Sequence, residues 1–231
     1  MATTTSSSVV PVTPTKQSPW TTAADLQGHL GGIPVERIML IPTPGQATER
    51  ELLAISRDRN RTLELIDGIL VEKTVGFWES RIAAMLLHMI HSYLDQHKLG
   101  IATGEGGTIR LLPRQVRAPD VAFFATSSLE GKDLSEPVPS LVPDLAVEVL
   151  SKSNTHAEMD RKLNEYFSAG TKLVWYIDPT AKTTRVYHDA GSFSLVTCNE
   201  DLLGEDVLPG FRLKLGELFE RVEAGLPGSA E

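Results

Sequence analysis

The sequence predicts an α/β domain, with one sheet and helices packed on it. Three observations carry this expectation. Strand-like runs alternate with segments whose apolar residues recur at helical spacing. Asp144–Ser151 (DLAVEVLS) is apolar at nearly every position, as a strand buried on both faces must be. The 231-residue chain has a single cysteine, Cys198, so apolar burial rather than disulfides must hold it together.

The elements follow in order. Residues 1–45 are expected to be a flexible tail and lead-in: Met1–Pro19 is rich in Thr, Ser and Pro, and 20–45 reads as extended. Residues 46–223 form the domain and 224–231 a C-terminal tail. Thr48–Asp58 has helical spacing, and Thr48 with Glu51 matches a capping box. Thr62–Lys73 (TLELIDGILVEK) is a hairpin turning at Asp67-Gly68. Ser80–His97 is an amphipathic helix offering Ile82, Leu86, Met89, Ile90 and Tyr93 to the core, with Gly100 as its cap. Strands are expected near Thr108–Leu112, within Val116–Ala125 and at Asp144–Ser151. A helix follows at His156–Ala169, ended by Gly170, then a strand at Leu173–Asp178. Thr184–His188, Phe193–Thr197 and Phe211–Leu215 complete the strands, and Leu218–Val222 is a short helix.

Composition is that of an ordinary globular protein, 41% hydrophobic and 23% charged. No stretch has the length and apolarity of a membrane span, and one cysteine with no apolar leader points to a reducing, cytoplasmic setting. The net charge is −8, of which residues 200–231 carry −5. That balance argues against tight non-specific coating of DNA. It leaves room for a local acidic site that a divalent cation neutralises.

Two acids stand out. Asp120 opens an apolar strand after Pro119, and Glu148 sits inside the most apolar strand of the chain. An isolated carboxylate there is costly to bury. Either acid alone reads as a turn cap or the partner of an arginine. Together, on neighbouring strands, they could hold a hard cation such as Mg²⁺ or Mn²⁺. Glu158, Lys162 and Tyr166 are spaced four apart and share a helix face. Such a face is usually a solvated Glu–Lys pair. Its alternative role is to lean Lys162 toward Glu148 and stabilise charge on a phosphate.

Taken in order, Leu63-Glu64-Leu65-Ile66-Asp67-Gly68, Pro119-Asp120-Val121, Glu148-Val149-Leu150-Ser151, Lys162 with Tyr166, Gly170–Pro179 and Leu208-Pro209-Gly210-Phe211 resemble the PD-(D/E)XK nuclease superfamily. The closer resemblance is to its Uma-type branch of restriction endonuclease-like proteins. It implies a central mixed β-sheet flanked by helices and Mg²⁺-dependent hydrolysis of DNA. It assigns the metal to Asp120, Glu148 and the Val149 carbonyl, the catalytic lysine to Lys162, and an assisting role to Glu64. Homodimers that cut both strands are the analogous assembly. Two departures stand: the superfamily's lysine two residues after the glutamate is Leu150 here, and Glu79 occupies a position where many relatives carry histidine. Lys152 competes with Lys162 for the lysine role.

Other signals point elsewhere. His88, His91 and His97 read as helix-surface histidines, and Arg110, Arg114 and Arg117 as a solvated strand edge or, in a second reading, a contact to nucleic-acid backbone. Trp175 and Tyr176 read as core or interface. A nuclease-fold protein that binds nucleic acid or a partner without cutting is the competing function. A dimeric scaffold pairing through Leu173–Ile177 and the hairpin after it is a third.

Overall fold

The computed structural model describes residues 20–59 and 61–224. The tails expected at Met1–Pro19 and beyond Ala224 lie outside the described residues. The chain opens with helix α1 (Ala23–His29) and a 3₁₀ turn at Val35–Arg37, followed by α2 (Glu49–Arg59). Next come β1 (Leu63–Ile66), β2 (Ile69–Glu72) and α3 (Phe77–Gln96). Then follow β3 (Gly100–Gly104), β4 (Ile109–Leu112), β5 (Gln115–Arg117), β6 (Val121–Ala125) and the short α4 (Thr126–Leu129). The second half holds β7 (Leu145–Val149), α5 (His156–Ala169), β8 (Leu173–Asp178), β9 (Thr183–Tyr187) and β10 (Ser194–Val196). β11 (Asp201–Leu203), β12 (Arg212–Lys214) and α6 (Leu215–Glu223) complete it.

The single sheet expected from the sequence is instead three. A six-stranded sheet, β10-β9-β8-β7-β6-β3, forms the centre, with β2-β1-β5-β4 beside it and β11-β12 as a small third. The central sheet is mixed: β7 and β8 run parallel and their neighbours are antiparallel. A parallel pair needs a long crossover, and α5 supplies it.

Side-chain alternation sorts the two faces of this sheet. Val121, Phe123, Leu145, Val147, Val149, Trp175 and Ile177 pack toward α3 and α6. Ala122, Phe124, Ala146, Val174 and Tyr176 pack toward α5 with Met159, Leu163 and Tyr166. By the same parity, Asp120 and Glu148 fall on the α5 side. The α3 side takes Ile82, Leu86 and Ile90 as expected, while Met89 and Tyr93 are only partly buried.

Local chemistry explains the boundaries. Asp67 and Gly68 both have positive φ, 52° and 81°, the geometry of a two-residue hairpin turn. Thr155 accepts the Glu158 N–H at the start of α5, and Gly170 closes that helix in the left-handed conformation. Gly100 does not cap α3. The helix ends at His97 and Gly100 begins β3, where a Cβ would collide with the Phe124 carbonyl of the paired strand. β3 carries Gly at both ends and β11 spans only three residues, so neither shows a strand pattern in the sequence.

The lead-in at 20–45 is not simply extended. Thr22 and Asp25 form a reciprocal cap on α1, and the segment docks on α5. The Thr155 hydroxyl donates to the Gly31 carbonyl, and Arg161 donates to that of His29 at 2.6 Å. Gly31 has φ +82°, and a Cβ there would lie 2.6 Å from the Glu158 nitrogen. Gly31→Ala is therefore expected to cost about 1–3 kcal/mol through backbone strain and lost docking. Denaturant titration reads it as a lower midpoint at unchanged slope; an unchanged midpoint refutes the docking.

Trp175 and Tyr176 are core residues, fully buried in an interior strand. β8 itself therefore presents no free face or edge for the dimer contact considered above, and of that region only the hairpin after it, with β10 at the sheet edge, stays exposed. No helix among the described residues is long and apolar enough to cross a membrane.

Candidate active site

Neighbouring antiparallel strands β6 and β7 bring Asp120 and Glu148 together on the α5 side of the sheet. Both are buried, as are Glu64 and Lys162. One Asp120 oxygen accepts the Val149 N–H at 2.7 Å; the other is 2.7 Å from the Lys73 ammonium. Lys73 also donates to the Ala118 carbonyl and lies 4.0 Å from Glu148. On the far side of Glu148, the Tyr166 hydroxyl donates at 2.6 Å and the Lys162 ammonium is 3.2 Å away. Lys162 is also 3.4 Å from Glu64.

The helix face Glu158–Lys162–Tyr166 is thus buried against the sheet, which corrects the solvated pair expected from spacing alone. Lys162 meets Glu148. Lys152 is exposed and makes no such contact. Arg117 is not a solvated strand edge: it is fully buried, donating to Glu64 at 2.7 Å and, through its Nε and a terminal nitrogen, to one oxygen of Glu165. Arg110 pairs with Glu49, and Arg114 donates to the Gly45 and Asp67 carbonyls, so these two brace the hairpin side of the fold. His88, His91 and His97 are exposed on or beside α3.

Electrostatics separate the carboxylates. Burial pushes the Glu148 carboxyl up, against the pull of Lys162 and Lys73, with Asp120 and Glu64 adding to the rise. Burial also acts on Glu64, but Lys162, Arg117 and Lys73 outweigh it and hold that carboxyl well below the usual range. Burial alone would lower Lys162; Glu148 and Glu64 overcome it, and the ammonium stays charged. Glu64 is therefore a fixed anion that seats Lys162, whereas the Glu148 anion is short of positive charge.

A small cavity of about 20 Å³ adjoins these groups, lined among others by Arg37, Lys73, Glu79, Asp120, Glu148 and Lys162. That is room for one water-sized occupant. Two hard carboxylates and an undercompensated Glu148 are oxygen donors of the kind a divalent cation takes, and such an ion would displace the Lys73 ammonium now seated against Asp120. Among the described residues no cluster of three or more His, Cys, Asp or Glu side chains is placed to hold a metal ion. Continuing the β6–β7 register sets Val149 opposite Pro119, which has no N–H to offer the Val149 carbonyl.

Two groups here escaped sequence reasoning. Lys73 follows β2 as the last residue of the hairpin run that also carries Glu64, and that shared hairpin was the available signal. Arg37 sits outside any motif. Its guanidinium pairs with Glu158 through two hydrogen bonds, at 2.8 and 3.1 Å, and reaches the Glu72 carbonyl.

Comparison with known proteins bears on the family and the fold. No curated protein matches the chain. A solved structure described as "a putative nuclease belonging to DUF820", from Anabaena variabilis, superposes with a TM-score of 0.62 at 18% identity. The match covers 71% of this chain and 92% of that one, and at such identity it establishes the fold alone. A family model named Uma2, described as "Putative restriction endonuclease", matches residues 49–216, a span holding Glu64, Lys73, Asp120, Glu148, Lys162 and Tyr166 but not Arg37. With most of the chain and the whole acidic centre inside that span, the chain belongs to the Uma2 family, in the Uma-type branch of the PD-(D/E)XK nucleases.

Proposed function

We propose that this protein is a divalent-metal-dependent endonuclease that hydrolyses DNA phosphodiester bonds. The observation that carries the proposal is the convergence of Asp120 and Glu148 from adjacent strands onto one small cavity with a cation already between them. Asp120, Glu148 and the Val149 carbonyl would hold Mg²⁺ or Mn²⁺. When bound, such an ion supplies an activated water and stabilises charge on the phosphate.

The chain's own groups do the remainder. Tyr166 and Lys162 fix one Glu148 oxygen and leave the other turned toward Lys73. The Val149 N–H fixes one Asp120 oxygen in the same way. Lys162 supplies positive charge at the centre, and Glu64, pinned by Arg117 and the Ala118 N–H, holds Lys162 in place.

Metal binding is tested apart from cutting. Mn²⁺ is expected to raise the melting temperature, because it neutralises the Glu148 anion that burial disfavours. At a hundredfold excess over its dissociation constant the gain is about 2.7 kcal/mol, or roughly 5–11 °C in a domain of this size. Glu148→Gln should abolish the gain; a gain that persists in that variant overturns the site.

One observation favours a second reading, in which the fold binds nucleic acid or a partner without cutting. Lys73 already neutralises Asp120, so the site can be satisfied with no metal. Calorimetry discriminates: absence of Mg²⁺ and Mn²⁺ binding supports this second reading and rejects the first.

A further inference from the structure

A second, larger cleft opens beside the acidic centre, with a volume of about 650 Å³. It lies at the carboxyl ends of the parallel strands β7 and β8, where α/β sheets place ligands. Glu79, Ser151 and Asn154 line both this cleft and the small cavity, so the two are continuous.

Its walls combine aromatic rings with uncommitted cations. Trp78 lines it from the first turn of α3, and Tyr187 from β9. Phe77, beside Trp78, is 81% exposed, and Phe193, 5.4 Å from the Tyr187 ring, is 52% exposed. Lys152 and Arg185 also line it. Among the described residues neither has a carboxylate partner; Arg185 instead lies over the Phe193 ring at 5.5 Å.

Three acids, Glu79, Asp160 and Asp178, share this wall with the cations. Asp178 accepts the Thr180 and Ala181 N–H groups, and Asp160 faces His156 at 3.7 Å. Glu79 sits at the boundary with the metal side.

We propose that this cleft receives an unpaired nucleotide of the strand being cut, its base stacked on Trp78 and its flanking phosphate met by Arg185 and Lys152. A continuous duplex would keep its bases stacked and leave the aromatic wall unused. Rings with cations beside them are the recurring means of holding single strands. The inference rests on the nuclease reading and gives it a substrate class: DNA with a single-stranded or frayed segment.

The test is fluorescence anisotropy on the full chain, with Ca²⁺ in place of Mg²⁺. The probes are a labelled single-stranded 12-mer, its blunt duplex, and the single strand with abasic sites. The single strand should bind about tenfold tighter than the duplex, and abasic positions should weaken it. Trp78→Ala and Arg185→Ala should each lower single-strand affinity about tenfold and leave duplex affinity unchanged. Trp78→Phe should restore it, which separates lost stacking from lost folding. Equal binding of all three probes, or indifference to Trp78→Ala, overturns the proposal. Mg²⁺-dependent cutting by the Trp78→Ala variant at wild-type levels on all substrates removes this proposal and keeps the nuclease. Trp78-dependent single-strand binding by a wild-type protein that cuts nothing removes the nuclease and keeps the cleft.

Discussion

Asp120→Asn and Glu148→Gln are each expected to reduce DNA cleavage by more than about 10³-fold while the protein still melts cooperatively. The amide variants are the sharper choice. Asp120→Ala would leave the Val149 N–H and the Lys73 ammonium buried without their acceptor. Glu148→Ala would strip Tyr166 of its acceptor and Lys162 of its nearest anion. Both alanine variants would confound lost chemistry with lost folding, at about 3–5 kcal/mol for an uncompensated buried charge. Cleavage of supercoiled plasmid, with melting followed in parallel, reads the result. Wild-type cutting by the Asp120→Asn/Glu148→Gln double variant would end the nuclease assignment.

Arg117→Met should produce the largest loss of stability. The guanidinium is fully buried between Glu64 and Glu165, and its removal leaves two carboxylates facing each other's space. A loss of about 3–5 kcal/mol is expected, which corresponds to roughly 6–20 °C in melting temperature. The pH dependence follows from Glu64. Its folded carboxyl is depressed below the ordinary value of 4.5, so its contribution is full above that value and disappears as pH falls through the lower folded value. Without Arg117, Glu64 keeps fewer cations and its carboxyl rises, so acid unfolding should begin at higher pH. Melting curves between pH 3 and pH 7, a range chosen about the carboxylate pKa, check both parts. A variant as stable as wild type with the same acid limb would refute the buried-pair account.

Much of the centre was legible because a strand's period of two is unforgiving. Glu148 interrupts DLAVEVLS at a position where every neighbour is apolar, and such an acid must have company. The hairpin at Asp67-Gly68 and the caps at Thr155 and Gly170 were readable for similarly local reasons. Lys73 and Arg37 were not, because nothing in their immediate neighbours marks them. Their meaning comes from pairings across the fold: Lys73 with Asp120, and Arg37 with Glu158. Arg117 was misjudged because an arginine cluster normally marks solvent, and only Glu64 and Glu165, both distant in sequence, turn it inward. The helix in the lead-in was hidden by the Gly and Pro residues around it.

The Arg37–Glu158 pair has a consequence for where this domain begins. The family likeness starts at residue 49, yet the guanidinium that neutralises Glu158, one turn from Lys162, arrives from twelve residues earlier. A protein trimmed to the family's boundaries would keep every metal-binding candidate and still leave a stranded anion on the helix that carries Lys162. Hydrogen exchange should accordingly find α1, the turn after it and the first half of α5 opening as one cooperative unit. The functional boundary of the domain is thus drawn by charge pairing rather than by sequence likeness.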